Sequence, residues 1–143
     1  MKYPAMEALR CTIENSFASI TYEPSSACIV FAYKRFGTSE EFRNAWTVAA
    51  ELGASKGTQR WLSNSLRMEV LRTEDQGWFI DVIAPTLQPD PLKKAYVAVI
   101  VSENAFAKLS VMNIARAISH KHPIVFKFFE SEAKGLDWLR SLE

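Results

Sequence analysis

Apolar and polar residues alternate from Leu9 to Glu14, with Leu9, Cys11 and Ile13 on one side and Arg10, Thr12 and Glu14 on the other. A period of two predicts a strand with one buried face. Phe17 to Glu23 alternates less cleanly and predicts a second strand, closed by a turn at Pro24-Ser25-Ser26. Ala27 to Tyr33 is continuously apolar, as a strand covered on both faces requires. The period then changes. Phe42, Ala45, Trp46, Ala49, Ala50 and Gly53 recur at helical spacing and give one broad apolar face, in which Trp46 reads as core. Thr38 or Ser39 suits the N-cap, Glu40 and Glu41 lie where the helix dipole favours acids, and Gly53 and Gly57 mark the end.

The rest of the chain alternates strand and helix. Trp61-Leu62-Ser63 reads as a short strand, followed by a linking loop. Thr73 is placed to cap a second helix, with Gln76 at capping-box spacing. Trp78, Phe79, Val82 and Ile83 form its inner side, Pro85 ends it, and residues 85–91 make a proline-stiffened loop. Tyr96 to Val101 is a second doubly buried strand, leading into a helix from about Glu103 to Ser119 and a strand from Ile124 to Phe129. Ser131 caps a last helix that turns Ala133, Leu136, Leu139 and Leu142 inward. The order βββ-α-β-α-β-α-β-α predicts an α/β fold. Its mixed sheet starts antiparallel, continues parallel and carries packed helices. Whether residues 8–14 pair within the monomer or across a dimer is open at this level.

Composition narrows the class. A chain of 143 residues, 48% of them hydrophobic, fits a single domain spanning residues 1–143 with a full core. Its net charge of +1 lacks the field that non-specific nucleic-acid binding needs. No apolar run is long enough for a bilayer, and the N-terminus lacks the h-region of a signal peptide, so a soluble cytoplasmic protein is expected. Cys11 and Cys28 read as small buried hydrophobes in a reducing compartment.

Candidate chemistry is sparse. His120-Lys121-His122 stands at a helix C-terminus before Pro123, where positive charge is favourable, with no carboxylate or thiol beside it. The five glycines are scattered and form no phosphate-cradling loop. Nothing matches a nucleophile elbow. These features point to a protein that is not an enzyme, with no metal and no cofactor.

The order of elements and several local patterns resemble the SpoIIAA-like (STAS-type) proteins, particularly small bacterial single-domain ones of uncharacterised function. The patterns are Ile20-Thr21-Tyr22-Glu23, Gly37-Thr38-Ser39-Glu40-Glu41-Phe42, Glu74-Asp75-Gln76-Gly77-Trp78 and Lys94-Ala95-Tyr96-Val97-Ala98-Val99, with an ending that runs from Phe129 to Leu139. The resemblance covers residues 17–142. It implies a regulatory module acting by protein–protein docking, with self-association as a homodimer. Better-known relatives carry an Asp-Ser-Ser-Gly segment at a helix N-terminus, where phosphorylation adds charge and rejects a docked partner. The matching place here is Arg72-Thr73-Glu74-Asp75, without the serine or glycine, and Asn64 stands where an aspartate is common. That departure argues against an inherited phosphoswitch. Ser63 and Ser65 read as solvated loop hydroxyls, and Glu74 and Asp75 as acids that stabilise the helix dipole. The docking surface implied by the resemblance comprises Asn64, Ser65, Thr73, Glu74 and Asp75.

A second surface comes from the 103–119 helix. Ala107, Val111, Ile114 and Ile118 make a buried stripe, while Phe106, Leu109 and Met112 carry apolar surface well beyond it. Three covers are open: the neighbouring proline loop through Leu87 and Leu92, a twofold partner, or an apolar, lipid-like small molecule. The last defines the alternative function, a small carrier or sensor.

Overall fold

The computed structural model describes residues 11–101 and 103–142. Six strands form one mixed sheet in chain order: β1 (Cys11–Glu14), β2 (Ala18–Glu23), β3 (Cys28–Tyr33), β4 (Arg60–Asn64), β5 (Ala95–Ile100) and β6 (Ile124–Phe129). The first three pair antiparallel and β3 to β6 pair parallel. Among the described residues four α-helices accompany them: α1 (Ser39–Lys56), α2 (Thr73–Trp78), α3 (Ala105–Lys121) and α4 (Glu132–Ser141). The α/β class, the antiparallel start and the parallel continuation all agree with the sequence pattern, and β1 pairs with β2 of its own chain.

Each crossover moves the chain one strand along in the same direction. Crossovers of one hand then put α1, α2 and α3 on the same face of the sheet. Ile29, Phe31, Tyr33, Trp61, Val97 and Val99 point into that face, against Phe42, Trp46, Phe79, Ile114 and Ile118. Their neighbours Cys28, Val30, Leu62, Ala98 and Ile100 point the other way and are covered by Leu136, Trp138 and Leu139 of α4. Alternation on strands buried from both sides thus divides the interior into two layers.

Aromatic packing ties the larger layer together. Trp46 stacks on Phe31 with ring centroids 4.0 Å apart, and its Nε1 donates to the Tyr33 hydroxyl at 2.8 Å. Trp61 donates from Nε1 to the Leu87 carbonyl, also at 2.8 Å. Its six-membered ring lies against Gly53, so close that a Cβ built there would sit 2.3 Å from Cη2. Gly53 is therefore a packing residue inside α1. The helix ends at Gly57, whose φ of 63° is the left-handed conformation that glycine adopts without a steric penalty.

Several local expectations are corrected. Ile13 is exposed along with Thr12 and Glu14, because β1 is a short edge strand that no helix of the described residues covers. Leu9, Arg10 and the side chain of Cys11 lie outside the described residues. Arg72, not Thr73, is the N-cap of α2, and Gln76 Nε2 donates to the Leu71 carbonyl instead of closing a capping box. Pro85 does not end the helical path. A π turn (Phe79–Ile83), with Ala84 N–H reaching the Phe79 carbonyl, leads into a 3-10 turn (Ala84–Leu87) that holds Pro85 in its first turn. The change of pitch turns Val82 outward and Leu87 inward. In α4, Ala133 is exposed. Among the described residues, no helix is long and apolar enough to cross a membrane.

Candidate functional site

The carboxyl ends of parallel strands are where an open α/β sheet presents its loops, and ligands commonly bind there. Here the loop after β4 is tightly built. Ser65 N–H donates to the Ile100 carbonyl at 2.9 Å, continuing the β4–β5 pairing past Asn64. The Ser65 side chain is buried, with its Oγ 3.2 Å from Ser63 Oγ, so it is not a solvated loop hydroxyl. Asn64 spans two elements: Nδ2 donates to Glu132 Oε2 at 2.6 Å and Oδ1 accepts from Leu66 N–H at 3.2 Å. Met68 and Leu71 then fold into the core, while Leu66, Arg67, Glu69 and Val70 face out.

Asp75 and Glu74, expected together on a docking face, part company. Glu74 is exposed, as is Thr73. Asp75 is fully buried, so it cannot present its charge to a partner. Its Oδ2 accepts from Ser39 Oγ at 2.8 Å, its Oδ1 accepts from Arg43 Nε at 3.1 Å, and Arg72 Nη1 lies 4.0 Å from Oδ2. Arg72 also donates to the Gly37 carbonyl at 2.9 Å and lies over the Phe36 ring, while Arg43 lies over Trp78. The carboxylate thus joins the start of α1 to the start of α2. The partnership of Ser39 and Arg43 with Asp75 had no mark in the sequence, since they are 36 and 32 residues away, whereas Arg72 is its i,i+3 neighbour.

A second acid nearby is held differently. Glu41 accepts from both guanidinium nitrogens of Arg35, at 3.1 and 2.5 Å, and its Oε1 accepts from Thr38 N–H while Thr38 Oγ1 caps Glu41 N–H. The Arg35 bond and then the Thr38 amide hold the Glu41 carboxyl down at about 2.

The predicted apolar surface separates in the same way. Leu87 is buried against Trp61, whereas Leu92 stands 94% exposed at the far end of its loop. Neither covers the outer side of α3, where Phe106 is 72% and Leu109 58% exposed and Met112 is also exposed. The proline loop is therefore not their cover. Phe36, Leu66, Val70 and Phe106 stand in the loops or first turn after β3, β4 and β5 and are all exposed. They make an apolar rim at the carboxyl end of the sheet. Phe106 was marked by the helical period of α3, whereas Phe36, Leu66 and Val70 went unpredicted because isolated apolar loop residues carry no periodicity.

Beneath the rim lies a cavity of about 50 Å³, lined by Tyr33, Trp46, Trp61, Met68, Phe79 and Phe126 among others. The Tyr33 hydroxyl inside it is pushed above its ordinary pKa by burial, and its bond from Trp46 acts in the opposite sense. On the α4 side, Cys28 is a free thiol raised to about 11, chiefly by burial, with Ser26 Oγ 3.2 Å away. Among the described residues, no three His, Cys, Asp or Glu side chains converge as metal ligands. No protein-family model, curated protein or solved structure matches this chain.

Proposed function

We propose that this protein is a non-enzymatic, STAS-type interaction module of the bacterial cytoplasm, self-associating and docking a regulatory protein partner at the carboxyl end of its sheet. The carrying observation is that Phe36, Leu66, Val70 and Phe106 are all exposed in the segments that follow β3, β4 and β5, the same end of the sheet at which α2 starts with the exposed Thr73 and Glu74. Clustered exposed apolar side chains with a polar surround mark protein-binding surfaces. The Asp75 cluster beneath keeps that surface in one shape, which limits the entropy lost on binding. The lack of Asp-Ser-Ser-Gly at Arg72–Asp75 argues against an inherited phosphoswitch at that position.

The test is affinity capture from bacterial lysate with the wild type and a Leu66→Ser, Glu74→Lys, Phe106→Ser variant. A discrete protein held by the wild type and lost by the variant, at equal melting temperature, supports the reading. Equal capture by both counts against this surface.

The alternative, a carrier or sensor for an apolar small molecule, draws on the aromatic lining of the internal cavity. At about 50 Å³ that cavity is well below the roughly 300–1,000 Å³ of ligand pockets, so loading requires the α2–α3 side to open. Native mass spectrometry of untagged protein decides between the two. A constant added mass of small-molecule size would favour the carrier.

A further inference from the structure

The free edge of the sheet at β6 differs from that at β1. Strand β6 reads Ile-Val-Phe-Lys-Phe-Phe, with Val125 and Phe128 exposed, and no strand of the described residues lies beyond it. A long apolar edge with unpaired backbone groups is a template for another strand. Monomeric proteins blunt such edges with charge or proline, and here only Lys127 interrupts the run.

The hydrogen bonds on the β5 side reveal which backbone groups are free. Pro123 carbonyl accepts from Ala95 N–H at 3.2 Å and Phe129 carbonyl accepts from Val101 N–H at 3.4 Å. Odd-numbered residues of β6 therefore direct their backbone groups toward β5, and Ile124, Phe126 and Phe128 direct theirs to the open edge. Ile124 is partly engaged locally: its N–H donates to the His122 carbonyl at 2.8 Å and its carbonyl accepts from Ser119 Oγ at 3.2 Å.

The flanks of β6 carry opposite charge. Lys121 precedes it, between His120 and His122, and Glu130 and Glu132 follow it. Glu132 is engaged by Asn64, whereas Glu130 is exposed and paired only across the surface to Lys134. A second copy running antiparallel would bring the basic flank of each chain against the acidic flank of the other, twice.

We propose that two copies of this chain join antiparallel along β6, with Phe126 opposite Phe126 on the twofold axis, making one continuous sheet through the dimer. In this register the two Phe126 residues exchange N–H···O bonds, and Phe128 N–H of each copy meets the second lone pair of the Ile124 carbonyl of the other. Lys127 lies opposite Val125, and Glu130 lies opposite His122 beside Lys121. Shifting by one pairing step toward the C-terminal end of β6 would set Lys127 against Lys127, which is unfavourable. Because α3 packs on β6, the α3 helices of the two copies flank the axis on one face.

This inference rests on the self-association proposed above and specifies its surface. Sedimentation velocity over micromolar concentrations tests it. Glu130→Lys and Lys121→Glu should each weaken the dimer roughly tenfold, and the two together should restore it, because like charges meet in the singles and opposite charges in the pair. Phe128→Pro removes an outward N–H at a position where an edge strand tolerates proline, and should give a monomer with native circular dichroism. A wild type monomeric at every concentration overturns both this interface and the self-association. A dimer that Phe128→Pro leaves intact, or whose charge swap does no better than the singles, overturns only the β6 interface.

Discussion

Adjacent residues of one charge can have unrelated roles. Glu74 and Asp75 are neighbours in sequence, but successive helix positions point about 100° apart. One faces water and the other is enclosed by Ser39, Arg43 and Arg72. Asp75→Ala should lower stability by roughly 1–3 kcal/mol in urea denaturation, since it removes a buried acceptor from its bonds to Ser39 and to the half-exposed Arg43. Glu74→Ala should stay within about 0.5 kcal/mol of the wild type, as exposed substitutions generally do. Equal effects of the two would contradict the burial difference. Glu41 offers a pH-dependent counterpart. Its folded pKa lies below the ordinary value of 4.5, so its pairing with Arg35 stabilises the fold above that value and is lost as the pH falls through about 2. The Glu41 side-chain carbon resonance should titrate near 2 in NMR, and Arg35→Ala should move the midpoint up toward 4.5.

Glycines separate propensity from packing at the scale of the element. Alanine is favoured over glycine in a helix interior by about 1 kcal/mol, other things being equal. Gly77 in α2 has open space where a Cβ would go, so Gly77→Ala should raise the melting temperature. At Gly53 in α1 the Cβ would strike the Trp61 ring, and Gly53→Ala should cost roughly 1–3 kcal/mol. Thermal melts of the two variants should therefore shift in opposite directions. The caps follow the same division. Thr38 and Ser131 were legible because a hydroxyl side chain preceding an amphipathic run is a local signal, and both cap in the structure. The end of the second helix was not legible. A change from α to π to 3-10 pitch is set by what Phe79, Ile83 and Leu87 can bury, not by the proline between them.

For the molecule as a whole, the two faces of the sheet are unequally covered. Among the described residues, three helical segments share the larger layer, while α4 alone covers Cys28, Val30, Leu62, Ala98 and Ile100. Leu139 is fully buried at the centre of that contact. Leu139→Ala should cost about 2–5 kcal/mol, read by denaturant midpoint, and should accelerate labelling of the Cys28 thiol, which the native fold keeps protonated and enclosed. A loss under about 1 kcal/mol would mean that α4 is not needed to seal this face.

What the sequence determined by itself is what repeats at short range: the period of two in β2, the doubly apolar runs of β3 and β5, the helical stripe of α1, and hence the α/β order. Periodicity records how a segment meets the core, and each of these segments meets it along its whole length. Single loop residues and long-range partners leave no such record. The enclosure of Asp75 by residues from α1, the inward turn of Leu87 onto Trp61 and the exposure of Phe106 and Leu92 depend on which segment arrives beside which. Only the tertiary structure decided those. The reason is physical: burial, hydrogen-bond satisfaction and steric room are properties of a neighbourhood, and a neighbourhood is assembled from residues far apart in the chain.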